Sequence, residues 1–111
     1  MDLYKIGEIA EDGLNRLTEV LARTRPFNAA DYVQFCQAIA ELKHDENADV
    51  ALLGRKLNEI HALIKRIDTL RKTMPEGARP IRKGAVDVLR LISTCNRALK
   101  RISREVAVDG V

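Results

Sequence analysis

Three cations, Arg79, Arg82 and Lys83, stand at the start of a long stretch whose apolar residues recur every three or four positions. Helix N-termini are electropositive and normally carry acids, so each such cation costs about 0.3–1 kcal/mol unless an anion neutralises it. Together with the backbone amides of that helix end, the trio predicts a site for a phosphate or carboxylate. The segment Pro75-Glu76-Gly77-Ala78-Arg79-Pro80 leads into no lysine–serine pair of the Walker type, so nucleotide hydrolysis is not expected. Lys83, Arg90, Arg97 and Arg104 follow at intervals of seven. They share one outward line about 31 Å long, with Arg101 beside it. Arg71 and Lys72, with Lys65 and Arg66, thicken its near end. A line of this kind suits an acidic protein surface or the phosphates of a nucleic acid.

The two histidines are the groups able to work as acid, base or ligand near neutral pH. His61 stands six residues after Arg55, a spacing similar to the arginine–histidine signature of HEPN-type ribonucleases. That resemblance implies a phosphate positioned by Arg55 and acted on by His61. With Lys65, His61 also resembles the phosphorylated histidine of histidine-phosphotransfer bundles, although there the lysine comes one position earlier and a glycine follows. On one helix Arg55 and His61 point to different sides, which places a His61-dependent enzyme third, behind two binding roles. His44, beside Asp45 and Glu46, reads as a helix end. A metal site would need convergent ligands from a second helix, so neither a metal nor a cofactor is expected. The paired acids Glu11–Asp12 and Asp45–Glu46 read as solvated helix ends.

Tyr4, Phe27, Tyr32 and Phe35 are the whole aromatic complement. Base stacking is therefore disfavoured, and nucleic acid would be held by its phosphates alone. Charge is unevenly spread: residues 1–54 hold five Lys/Arg against ten Asp/Glu, and residues 55–111 fourteen against six, a split of −5 and +8 behind the net +3. This dipole suits a docking surface for an anionic partner, or two copies associating head to tail.

The elements that position these groups follow from periodicity. Ile81, Ala85, Val88, Ile92, Cys95, Leu99, Ile102 and Val106 form one stripe, and Val50, Leu53, Leu57, Ile60, Ile64, Ile67 and Met74 form another that Arg71 interrupts. Two long helices joined by the short link Thr73 to Arg79 make an antiparallel hairpin. Upstream, Leu3, Ile6, Ala10, Leu14, Leu17, Val20 and Leu21 predict a helix in which Gly13 lies on the inward seam, and Arg25-Pro26 closes it. Asn28 as cap, Asp31 in the first turn and a Phe27–Tyr32 staple open a short helix. Val33, Phe35, Cys36, Ile39, Ala40 and Leu42 predict burial of that helix on more than one side. The expected fold class is all-α: a single domain over 1–111, an antiparallel up-down four-helix bundle with helices at 2–22, 28–43, 46–73 and 80–107 and a frayed tail from Ala107. Cys36 and Cys95 are both expected to be buried, free thiols.

No apolar run is long enough for a membrane span, and the first residues lack a secretory signal, so a cytoplasmic location is expected. The leading functional expectation is a small non-enzymatic adaptor or regulator. It docks an acidic protein surface through Arg71, Lys72, Arg79, Arg82, Lys83, Arg90, Arg97, Arg101 and Arg104. Sequence-independent nucleic-acid binding through the same residues is the alternative, and the unequal helix lengths leave room for a homodimer along the long hairpin.

Overall fold

The structure, a computed structural model, describes the backbone of residues 3–109 and the side chains of residues 4–104. Four α-helices account for its regular structure: α1 (Leu3–Leu21), α2 (Val33–Lys43), α3 (Ala48–Arg71) and α4 (Arg79–Asp109). No strand occurs among the described residues.

The first helix runs unbroken through Gly13 and buries Ile6, Ala10, Leu14, Leu17 and Val20 on one stripe; Leu3 lies outside the described side chains. It ends in a Schellman motif, in which Thr24 N–H donates to Glu19 O at 2.9 Å and Arg23 N–H to Val20 O at 3.0 Å. Arg23 occupies the left-handed position with φ 66°, where a side chain costs roughly 1–2 kcal/mol.

Asn28 does cap the next element, accepting from Ala30 N–H at 3.1 Å, and Phe27 stacks on Tyr32 at 5.3 Å. The capped turn, Ala29–Tyr32, is 3₁₀ rather than α, so α2 begins only at Val33. The expected burial on more than one side does not hold. Phe35, Ala38, Ile39 and Leu42 form a single inward face, while Val33, Cys36 and Ala40 face outward. Its neighbours α1 and α3 both meet this one face, so a helix of 11 residues has one stripe to bury and its remaining apolar residues are left in solvent.

Asn47, not the acids before it, caps α3, accepting from Asp49 N–H at 2.9 Å and Val50 N–H at 3.3 Å. The seam Val50, Leu53, Leu57, Ile60, Ile64 and Ile67 is buried as its spacing requires. Met74 is not part of it: α3 stops at Arg71, and Met74 is 38% exposed. Along α4, Ile81, Val88, Cys95 and Ala98 are buried and Ala85, Ile92, Leu99 and Ile102 half-buried. Val106 falls beyond the described side chains. The helix continues past Ala107, where a frayed tail was expected, to Asp109.

Helix α3 is the hub of the packing. Helices α1 and α2 pack on it and on each other, and α4 runs along it. The pair α3–α4 is the expected antiparallel hairpin, with Arg101 near the end of α4 bonded to Asp49 at the start of α3. The contacts centre on α3 rather than being shared equally among the four helices. Glycines permit the close approaches. A Cβ at Gly13 would overlap the Phe35 ring, and one at Gly54 would sit 2.8 Å from both Leu42 Cβ and the backbone nitrogen of Lys43.

Gly54→Ala is therefore expected to destabilise the fold by about 1–3 kcal/mol, because backbone cannot step aside. Gly7→Ala, whose added methyl meets nothing within 4 Å, is expected to gain about 0.5–1 kcal/mol from helix propensity. Urea denaturation of the two variants measures both signs.

Candidate functional site

The predicted cations do not form one set once folded. Arg71 is the first to leave the anion-binding set. Its side chain is only 13% exposed, and its guanidinium is committed within the chain. One terminal nitrogen donates to Val20 O at 2.9 Å and the other to Leu21 O at 2.8 Å, the last carbonyls of α1. The Nε atom and the second nitrogen also hold the Glu76 carboxylate at 2.8–3.2 Å, and Arg23 adds a 3.4 Å contact. The Arg71 bonds hold the Glu76 carboxyl below its usual 4.5. Arg71 thus interrupts the α3 seam because it ties three segments together, not because it awaits a ligand.

Others do form a real cluster. Arg66 on α3 and Arg79 and Lys83 on α4 line one groove of about 370 Å³, whose floor is Leu63, Ile67, Leu70, Pro80 and Gly84 and whose far wall carries Asp87. Gly84 sets its depth, since a Cβ there would press on Ile67 at 3.0 Å. Arg82 does not line this groove, although sequence spacing grouped it with Arg79 and Lys83. The expected amide contribution is also small. Pro80 has no N–H, and the amides of Ile81 and Arg82 both donate to Ala78 O at 3.1 Å. What remains is three side-chain cations, with the Asp87 carboxylate opposite, over an apolar floor.

Apart from these stands the line along α4. Arg90, Arg97 and Arg104 are exposed on the face away from α3, as the spacing of seven requires. Arg101 is partly spent on Asp49 at 2.8 Å, and Arg97 bonds Thr94 at 3.3 Å. Lys72 lies instead in a separate shallow groove with Arg23 and Arg25, two cations from the nominally acidic half. The signal that could have found this second cluster is the run Arg23-Thr24-Arg25 at the end of α1, which the fold brings beside the end of α3.

Neither enzymatic resemblance gains a geometry. Arg55 is exposed while His61 is half-buried, its ring enclosed by Phe27, Tyr32 and Phe35 at centroid distances of 5.5–6.1 Å. Burial, and then the charge of Lys65, lowers its pKa below 6.5. Its Nε2 lies 4.0 Å from the sulfur of Cys36, a neighbour 25 residues away that no spacing rule announces. Cys36 is exposed, contrary to the expectation of two buried thiols; Cys95 is fully buried, and desolvation raises its pKa to about 11. No cluster of three metal-ligating side chains occurs among the described residues.

Arg71→Ala is expected to cost about 1.5–3 kcal/mol, and Arg71→Lys to recover less than half, because an ammonium cannot serve three acceptors in a fork. Glu76 titrates lower in the folded than in the unfolded chain. Its contribution is therefore complete above pH 4.5 and is lost as pH falls through the folded value. That acid-range loss is expected to shrink in Arg71→Ala, as read by urea melts against pH. His61 is also depressed, so acidification below 6.5 destabilises the fold until the folded value is passed. His61→Phe keeps the ring packing and is expected to flatten that interval. No family model matches the chain, and neither a curated protein nor a solved structure matches it.

Proposed function

We propose that this chain is a small non-enzymatic interaction protein, an adaptor or regulator, which docks an acidic protein surface through the α3–α4 hairpin. The observation that carries the reading is the groove in which Arg66, Arg79 and Lys83 surround an apolar floor. A carboxylate-bearing helix or loop satisfies both parts of such a groove, its acids meeting the three cations and its apolar side chains covering Leu63, Ile67 and Leu70. The exposed line Arg90, Arg97 and Arg104 extends the same positive field along α4 and steers an anionic partner toward the groove. No described helix is long and apolar enough to cross a membrane, and the proposed site of action is the cytoplasm.

Nucleic acid is the alternative partner, favoured by the regular line of cations and disfavoured by the apolar floor, which phosphates cannot use. Salt separates the two. Neutralising four to six phosphates gives a log-log slope of about −4 to −5 on duplex DNA, whereas a partner held by apolar contacts gives a shallow one. The triple variant Arg66→Ala, Arg79→Ala, Lys83→Ala is expected to melt at the parent temperature, since all three side chains are exposed. In affinity capture, proteins enriched by the parent and lost with this variant are expected to be acidic. Equal capture by parent and variant would remove the groove from the proposal. Steep, salt-sensitive binding of mixed-sequence duplex, followed by fluorescence anisotropy, would put nucleic acid first.

A further inference from the structure

A second concavity, of about 550 Å³, lies between α1 and the start of α2. Its lining mixes the apolar Ile9, Gly13, Val33 and Phe35 with Glu8, Asp12 and Asp31 and the single cation Arg16. Arg16 bonds Asp12 at 3.1 Å and Arg25 stands 3.8 Å from Asp31. Glu8 makes no ion pair among the described residues. Val33, part of that lining, is 56% exposed, an apolar side chain left uncovered.

The complementary shape is on the same chain. Val86 and Leu89 on α4 are 47% and 57% exposed. With Arg82 four residues before Val86 and Arg90 four after it, they form an outward ridge of two apolar side chains flanked by cations. Leu89 stands on the flank of α4 away from Pro80, Gly84 and Asp87, whereas Val86, three residues after Lys83 and seven after Arg79, borders the α4 cations of the basic groove. The acid-bearing groove admits a ridge, and its charge opposes that of the ridge in the same sense as the −5 and +8 of the chain's two halves.

We propose that a second copy of this chain occupies the α1–α2 groove, seating the Val86–Leu89 ridge of its α4 between Glu8 and Asp31. The two surfaces differ, so the contact is heterologous: each copy keeps one groove or one ridge free, and assembly continues head to tail. A patch of this size buries less than the roughly 1,200 Å² of a stable interface, so association is weak, dependent on concentration and sensitive to salt.

Sedimentation of the full chain tests this. The mass is expected to rise from 12.5 kDa past that of a dimer without a plateau as concentration increases at low salt, and to return to the monomer at about 0.5 M salt. A ridge variant, Leu89→Asp, and a groove variant, Glu8→Lys with Val33→Lys, change exposed side chains only, and circular dichroism checks their folding. Each is expected to be monomeric alone. Mixed in equal amounts they are expected to form a complex that stops at two chains, the intact groove of one holding the intact ridge of the other. Arg66→Ala, which lies on α3 and off the ridge, is expected to weaken capture of an acidic partner while assembling like the parent, so failure of the docking reading and failure of this one are told apart. A parent that stays monomeric at millimolar concentration and low salt would overturn the proposal. So would a dimer that plateaus and is broken by Leu89→Asp but untouched by the groove variant, which would be a symmetric pairing through α4.

Discussion

One guanidinium holds the hairpin end of this molecule in register. The last carbonyls of a helix have no partners within it and carry the negative end of its dipole. Arg71 meets those of α1 with its terminal nitrogens and turns its remaining donors to Glu76 in the α3–α4 link. The same residue places its charge in the final turn of α3, where the dipole of that helix also favours it. Because the fork is planar and rigid, the directions of α1, of the link and of α3 are fixed relative to one another. Arg79 follows Glu76 by three residues. The position of the basic groove is therefore inherited from this internal clamp, although Arg71 itself takes no part in it.

Helix approach obeys a second constraint. Each of three neighbouring pairs meets through a missing side chain: Gly13 of α1 under Phe35 of α2, Gly54 of α3 under the backbone of α2, and Gly84 of α4 under Ile67 of α3. Glycine within a helix costs about 1 kcal/mol against alanine, and close packing of large apolar neighbours offsets that loss. With α4 packed along α3 rather than enclosed, one of its faces remains in solvent over the whole described length, and that face carries the cations.

The long elements were legible because their periodicity is strict. Ile60, Ile64, Ile67, Val88 and Cys95 are buried where spacing alone puts them. Short-range chemistry was legible too, as in Asn28 and the Phe27–Tyr32 stack. Three things were not. No local rule decides that the turn capped by Asn28 is 3₁₀ rather than α. The number of neighbours around α2 depends on tertiary packing, so Val33 and Cys36 read as core when they are surface. The role of Arg71 rests on carbonyls about fifty residues away in the chain, and a cation in the last turn of a helix reads the same whether it faces water or another helix. The basic groove was half visible: Arg79 and Lys83 share a face by spacing, but the exclusion of Arg82 and the inclusion of Arg66 depend on which flank of α4 rests on α3.

The two thiols divide chemically in a way their similar settings in sequence conceal. Cys95 is sealed beneath α3 and holds its proton to about pH 11, which keeps its nucleophilic form scarce. Cys36 stands in solvent with an imidazole nitrogen 4.0 Å from its sulfur. The folded chain consequently offers a single accessible thiol, that of Cys36, to alkylating reagents and disulfide exchange. An oxidising environment can link two molecules through Cys36 but cannot staple one molecule to itself, and a dye or crosslinker placed by thiol chemistry arrives at one defined point on α2, beside the aromatic cluster.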